Sequence, residues 1–121
     1  MRQQILYAMH KFAHDHSKNL LFFIMEDTEF FKRFSDGIPY YDKNKTIIST
    51  YSLVHFDGPH TISAVLEELD FFMDRLELNG IFVFDDIALY DHDSVEKRLM
   101  DTGKFQIFKK GQRKAAYKKI A

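Results

Sequence analysis

The chain lacks cysteine and tryptophan, and it has only two prolines and five glycines in 121 residues. Without cysteine it can have neither a disulfide framework nor a thiolate metal site. The glycines are scattered along the sequence, which excludes a G-x-G phosphate loop. No apolar run approaches the roughly 20 residues that span a bilayer, so we expect no membrane partner.

What the sequence has in abundance is hydrophobic bulk. Hydrophobic residues make up 45% of the chain, and they include 13 Phe and five Met. This composition is typical of a globular protein, and the length suits one domain with a modest core. The mixed N-terminus lacks the apolar core of a secretory signal. We therefore predict a single cytoplasmic domain over residues 1–121.

Charge is distributed unevenly, although the net charge is only −1. All 18 acidic residues precede residue 102, and seven of the 17 basic residues follow it. A basic tail can bind nucleic acid. Here, however, the basic residues are interleaved with Phe, Ile and Tyr, as in an exposed hairpin that lysine protects from aggregation. We therefore do not expect a nucleic-acid partner.

Hydrophobic periodicity predicts alternating helices and strands. Helices are predicted over residues 3–16, 28–34, 61–78 and 94–101, and strands over residues 20–25, 38–41, 46–50, 51–57, 81–85, 105–109 and 113–120. Asn79 and Gly80 are expected to form the C-cap of the third helix. This order predicts an α/β fold with a mostly parallel sheet, finished by an antiparallel C-terminal hairpin.

Two of the predicted strands run directly into acidic residues. The strand that begins at Tyr51 ends in Asp57, and the strand that begins at Ile81 ends in Asp85 and Asp86. One helix joins them, so both ends should meet at the edge of a parallel sheet where open α/β folds bind ligands. Three carboxylates there suit a hard cation such as Mg²⁺ or Ca²⁺, which could polarise a substrate hydroxyl.

Neighbouring residues allow more than one interpretation. His60 could act as a general base near neutral pH, although a lone histidine is often structural. His55 lies inside the strand, where we expect a packing role. The aspartates could instead serve turns or helix caps, where aspartate is common. Glu26 and Asp27, at the end of the first predicted strand, fit either a polar ligand contact or the start of a helix.

Three segments together resemble class I S-adenosylmethionine-dependent methyltransferases, most closely the small metal-dependent group that includes macrocin O-methyltransferase-like proteins. The segments are residues 53–60 (LVHFDGPH), 64–69 (AVLEEL) and 76–86 (LELNGIFVFDD). In that group a strand ending in Asp-Gly-x-His is followed by a helix, and then by a leucine–glycine turn into a strand ending in Asp-Asp. The paired motif is more specific than either half.

The resemblance implies methyl transfer from S-adenosylmethionine to a small-molecule hydroxyl, assisted by a divalent cation. The residues implied are Asp57, Asp85 and Asp86 for the metal, His60 for deprotonation of the acceptor, and Glu26, Asp27 and Asp57 for the cofactor. The fold implied is a partial Rossmann-like methyltransferase sheet that lacks the first two strands.

The resemblance covers residues 1–120 but corresponds only to the second part of such a domain. The family's glycine-rich cofactor loop and its acidic ribose-binding strand end have no counterpart, and Pro59 replaces a residue that is often polar. The chain is then either a fragment of a longer methyltransferase or a half-domain without catalysis that acts as an interaction or oligomerisation module. We expect the open edge of the 51–57 strand to be covered by another copy of the chain or by the 20–25 strand.

A receiver-like domain for phosphoryl transfer is a third interpretation, and the chain length suits it. It is disfavoured because receiver domains carry their acidic pair after the first strand, whereas here the acids come late. Fold class alone does not decide between these functions.

Overall fold

The computed structural model describes residues 4, 7–9, 11, 25–41, 43–58 and 60–121. These residues include the helices α1 (Asp27–Arg33), α2 (Ile62–Met73) and α3 (His92–Asp101), and the strands β1 (Ile38–Tyr41), β2 (Lys45–Ile48), β3 (Tyr51–Phe56), β4 (Leu76–Phe84), β5 (Phe105–Lys110) and β6 (Ala115–Lys119). The predicted first helix is described only at residues 4, 7–9 and 11, which are helical, and the predicted 20–25 strand only at Met25.

Four strands form a mixed sheet in the order β3-β4-β6-β5, and β1 and β2 form a separate antiparallel hairpin. β3 is parallel to β4, while β6 is antiparallel to both of its neighbours. β3, β4 and β5 therefore run in one direction, with β6 inserted between β4 and β5. The α/β class and the C-terminal hairpin are confirmed. The described pairings are mostly antiparallel, however, so the expected predominance of parallel pairing is not found among them.

The hydrophobic core lies between the sheet and the two longer helices. Alternation along β3 and β4 places Phe56, Phe82 and Phe84 on one face, where all three are buried. The helices contribute the other large part of the core, which comprises Val65, Leu69, Val95 and Leu99. The rings of Phe56 and Phe84 stack with their centroids 4.3 Å apart, and those of Phe82 and Phe105 with theirs 5.5 Å apart. Stacked aromatic rings thus join β3, β4 and β5 across one face.

The boundary between α2 and β4 differs from the prediction. The helix ends at Met73 and not near Leu78, because the Tyr51 N–H donates to the Arg75 carbonyl at 2.8 Å and Tyr51 pairs with Leu76. Asn79 has a φ of 67° and lies inside β4, where the register against β3 shifts. The predicted helix C-cap is therefore wrong, and its left-handed asparagine serves a strand irregularity instead.

Gly80 occupies a position in this irregularity that leaves no room for a side chain. A Cβ atom there would lie 2.7 Å from the Glu77 carbonyl oxygen and 2.8 Å from Leu76 Cγ. We expect Gly80→Ala to lower the free energy of unfolding by about 1–3 kcal/mol, as overpacking does. Urea denaturation measures this, with Gly111→Ala as the control because its nearest contact would be 3.8 Å away. Equal losses in the two variants would contradict the steric argument.

β3 forms one edge of the described sheet. No described strand pairs with its free side, and Leu53 on this strand is 61% exposed. The expected cover by the 20–25 strand falls outside the described residues, and pairing with another copy stays a prediction. Among the residues that the structure describes, no helix is both long and apolar enough to cross a membrane.

Candidate functional site

The acidic residues lie at the carboxyl ends of β3 and β4. These parallel strands end together, because Phe56 pairs with Phe84 and the Asp85 N–H then donates to the Phe56 carbonyl at 3.1 Å. This hydrogen bond carries the strand pairing one residue past β4. It holds Asp57 and Asp85 side by side at the edge of the sheet.

Three side chains converge at this edge. His55, Asp57 and Asp85 each offer one potential ligand atom, and these atoms all lie within 4.8 Å of one another. The carboxylate oxygens suit hard cations, and the imidazole nitrogen extends the choice to Mn²⁺ or Zn²⁺. His55 and Asp57 are exposed and Asp85 is half-buried, so the group is open to solvent. We call these three residues the acidic cluster; by its donor atoms it fits a divalent cation.

His55 is the member of the acidic cluster that sequence reasoning assigned to packing. It is exposed because the alternation along β3 turns it to the face opposite the buried Phe56. Its shared parity with Asp57 was a usable signal. What the sequence did not indicate was that this face of the sheet would be open.

Asp86, which was predicted to be a metal ligand, lies against His60 and is not one of the three residues of the acidic cluster. The His60 Nε2 atom is 3.2 Å from Asp86 Oδ2, and both side chains are partly exposed. The Asp86 N–H donates to Asp85 Oδ1 at 2.8 Å, which steadies the carboxylate of the acidic cluster. A carboxylate paired with imidazole in this way orients the ring for proton transfer.

A lysine already offsets part of the negative charge at the cluster. Lys114 Nζ lies 3.9 Å from Asp85 Oδ2, and the lysine side chain is 63% exposed. An ion pair this exposed contributes little to stability. Because the lysine can swing away into solvent, it does not block access of a cation to Asp85.

Two cavities adjoin the acidic cluster. The smaller has a volume of about 10 Å³, is lined in part by Asp57, His60, Asp86 and Tyr90, and has room for about one water molecule. The larger, of about 360 Å³, is lined by Met25, Asp27, Phe30, Phe31, Val54, His55, Phe56, Glu68 and Phe72. Its volume is within the range of small-molecule sites. Phe56 and Glu68 line both cavities, so the two are neighbours.

Glu68 is a second residue of this region that was not predicted from the sequence, because a glutamate within an amphipathic helix usually lies on the solvated side. Burial, and after it a hydrogen bond with Asp27 and the charges of Asp27 and Glu67, together raise the pKa of Glu68 to about 8. Near pH 7 its carboxyl group is therefore mostly protonated and bonded to Asp27. Its spacing from Val65 and Phe72, three residues before it and four after it, was a signal that it borders the apolar side of α2.

The residues predicted to border a cofactor are separated. Asp27 lines the larger cavity, Asp57 lines the smaller one, and Glu26 is the exposed N-cap residue of α1. Only Asp27 of the three thus lies in a cavity of ligand size. The larger cavity is predominantly aromatic, with one carboxyl pair at its polar side.

Comparison with known proteins gives no family for this chain. No protein-family model matches the sequence, and no curated protein matches it. The residues at the ends of β3 and β4 are therefore the main indication of function in this chain.

Proposed function

We propose that this chain carries the cation-binding and acceptor-binding part of a methyltransferase site, one that transfers a methyl group from S-adenosylmethionine to a small-molecule hydroxyl. The observation that carries the proposal is the convergence of His55, Asp57 and Asp85 within 4.8 Å, beside the pair formed by His60 and Asp86. The motif resemblance supplies the class of reaction. The parallel β3–α2–β4 unit supports the Rossmann-like character that this class implies.

Each residue has a role in this proposal. His55, Asp57 and Asp85 would hold a divalent cation, which lowers the pKa of a hydroxyl bound to it. His60, oriented by Asp86, lies on the same edge and is suited to accept the hydroxyl proton. The exposure of the acidic cluster leaves its solvent side free for the acceptor molecule.

The described residues complete only part of a cofactor site. The sequence has no glycine-rich loop, and of the predicted cofactor residues only Asp27 lines the larger cavity. Methyl transfer needs a donor site that these residues do not complete. The proposal for this chain is therefore limited to binding the cation and positioning the acceptor hydroxyl.

Calorimetric titration with Mn²⁺ and Mg²⁺ tests the proposal. We expect Asp85→Asn to weaken Mn²⁺ binding by about tenfold or more, because it removes a charged ligand from a group of three. Asp74→Asn is the matched control, since Asp74 is an exposed aspartate at the opposite end of α2 from the cluster. Absence of binding to the wild-type chain, or equal binding by Asp85→Asn, would refute the cation site.

The open edge of β3 favours a second candidate, an interaction module without catalysis. Leu53 is 61% exposed there and no described strand pairs with the free side. Such an edge can accept a strand from another copy of the chain. A concentration-dependent dimer in sedimentation velocity, together with unchanged Mn²⁺ binding in an Asp57→Asn/Asp85→Asn double variant, would favour this candidate over the first.

A further inference from the structure

A chain of hydrogen bonds runs through the protein interior to the smaller cavity. It starts at Glu96, whose Oε1 atom lies 2.9 Å from the Tyr117 hydroxyl, and this hydroxyl lies 2.7 Å from His92 Nε2. The other ring nitrogen, Nδ1 of His92, lies 3.1 Å from the Tyr90 hydroxyl. Tyr117 is fully buried and His92 is 5% exposed, so water cannot replace these bonds.

The hydrogen bonds in this chain have a single consistent direction. An ionised Glu96 can only accept, so Tyr117 donates its one hydroxyl hydrogen to it. His92 Nε2 must then donate to the Tyr117 oxygen. In a neutral imidazole this leaves Nδ1 as an acceptor, and it takes the hydrogen of the Tyr90 hydroxyl.

The charge states of Glu96 and His92 agree with this direction of the hydrogen bonds. Burial opposes ionisation of Glu96, but hydrogen bonds from Tyr117 and Lys110 together hold the pKa of Glu96 below its ordinary value. Burial lowers the pKa of His92; the charges of Glu96 and Asp93 counter part of this effect and that of Lys110 adds to it. Glu96 is thus ionised and His92 neutral near pH 7.

At the other end of this chain of hydrogen bonds, Tyr90 lines the smaller cavity. Burial, and after it the carboxyl groups of Asp86, Glu68 and Asp85, together raise the pKa of Tyr90 to about 12, so the phenol keeps its hydrogen. That hydrogen is taken by His92, and the Tyr90 oxygen can then offer only its lone pairs to the cavity. The aspartates around the cavity also only accept, and the Nε2 atom of His60, which lines the cavity too, is already paired with Asp86. The occupant that fits is a small molecule with two hydrogens to donate, and the volume admits about one water.

We propose that Tyr90 is a positioning residue that accepts a hydrogen bond from a single water in this cavity, and that the chain through His92, Tyr117 and Glu96 fixes Tyr90 in this role. The inference rests on the proposed function, because the water would be a ligand of the cation held by the acidic cluster. Its oxygen would face the cation, and one of its hydrogens would be donated to Tyr90. Outer contacts of this kind orient metal-bound water in many sites.

The first test measures which nitrogen of His92 carries the proton, by ¹⁵N NMR of the metal-free protein at pH 7.5. We expect protonation at Nε2 in the wild type and in Tyr90→Phe. Tyr117→Phe removes the acceptor of the Nε2 hydrogen, so the proton is expected to move to Nδ1, from which it can bond to the Tyr90 oxygen. Protonation at Nδ1 in the wild type, or no change in Tyr117→Phe, would overturn the proposed direction.

The second test measures Mn²⁺ affinity by calorimetry. Tyr90→Phe and Tyr117→Phe should each weaken binding about 3- to 10-fold, the effect of one hydrogen bond. Tyr41→Phe is the control, because Tyr41 is 68% exposed on β1 and should leave the affinity unchanged. Wild-type affinity in Tyr90→Phe would overturn the role of Tyr90. If the wild type binds no Mn²⁺, both the proposed function and the role of Tyr90 are refuted. The NMR result would still show the direction of the hydrogen bonds that His92 makes.

Discussion

Replacing Phe82 by alanine is expected to remove about 3–5 kcal/mol from the free energy of unfolding. Phe82 is fully buried in the middle of β4. Its ring centroid lies 5.2 Å from that of Phe56 and 5.5 Å from that of Phe105. These two residues belong to β3 and β5, the edge strands of the described sheet. Phe56 is itself stacked on Phe84 and cannot move in to fill the space. The void should therefore persist, and its cost adds to the lost burial.

Urea denaturation followed by circular dichroism measures the Phe82 effect. Domains typically have only about 5–15 kcal/mol of stability, so the variant is expected to unfold at a much lower urea concentration. Phe108→Ala is the matched control, because Phe108 lies on β5 of the same sheet but is 61% exposed. If both variants lost the same stability, the stacked aromatic rings would not be the main support of the sheet. Phe82→Leu should fall between the two, since it leaves a smaller void.

Glu68→Gln is expected to change how stability depends on pH. The pKa of Glu68 rises from an ordinary 4.5 to about 8 in the folded chain. Between these values the folded state holds a proton that the unfolded state has released, so the free energy of unfolding falls as pH rises. The contribution is complete below about pH 4.5 and is lost as the pH passes about 8. Glutamine stays neutral in both states, so the variant lacks this loss.

Urea midpoints at pH 5, 6.5 and 8 measure the Glu68 effect. Other groups shape the wild-type profile too, so the informative quantity is the difference between variant and wild type. We expect this difference to be small at pH 5 and to favour Glu68→Gln increasingly towards pH 8. Glu67→Gln, an exposed neighbour on the same helix, should show no such trend. A constant difference for Glu68→Gln would mean that burial does not hold this carboxyl group protonated.

Elements with local signals could be predicted from the sequence. The strand predicted over residues 51–57 is observed as β3, and the helix predicted over residues 94–101 is observed as α3, which begins two residues earlier. The cap of α3 is Asp91, whose side chain accepts from the Ser94 N–H. Asp93, two residues further on, is an equally suitable capping residue by type, so the sequence alone could not decide where the helix begins.

The elements that could not be predicted depend on contacts between distant residues. Leu76 and Leu78 continue the apolar spacing of α2, yet pairing with Tyr51 draws this stretch into β4. The insertion of β6 beside β4 is equally non-local, since it pairs Ile81 with Lys118. Local periodicity predicts neither the strand conformation of residues 76–78 nor the pairing of β6 with β4, because both depend on a partner strand that is distant in the sequence.

The candidate site also combines features that the sequence predicts with features that depend on distant contacts. The approach of Asp57 to Asp85 follows from two parallel strands that end in acid, which the sequence indicates. The separation of Asp85 from Asp86 does not, because it depends on the left-handed backbone of Asp86, with a φ of 54°. The places of His55 and Glu68 depend on which sheet face is open and on how α2 is rotated against it. Those are properties of the packed structure.

The position of β6 also sets an order of events during biosynthesis. In the described sheet β4 and β5 have no direct pairing, and β6 joins them although it follows both in the chain. While residues 115–119 are still inside the ribosome, the nascent chain can form the β3–α2–β4 unit, but β5 cannot yet join the sheet. The buried Tyr117 arrives with the same segment. Completion of the sheet therefore waits for residues 115–119, and until they are available β4 has an open side on which aggregation can begin.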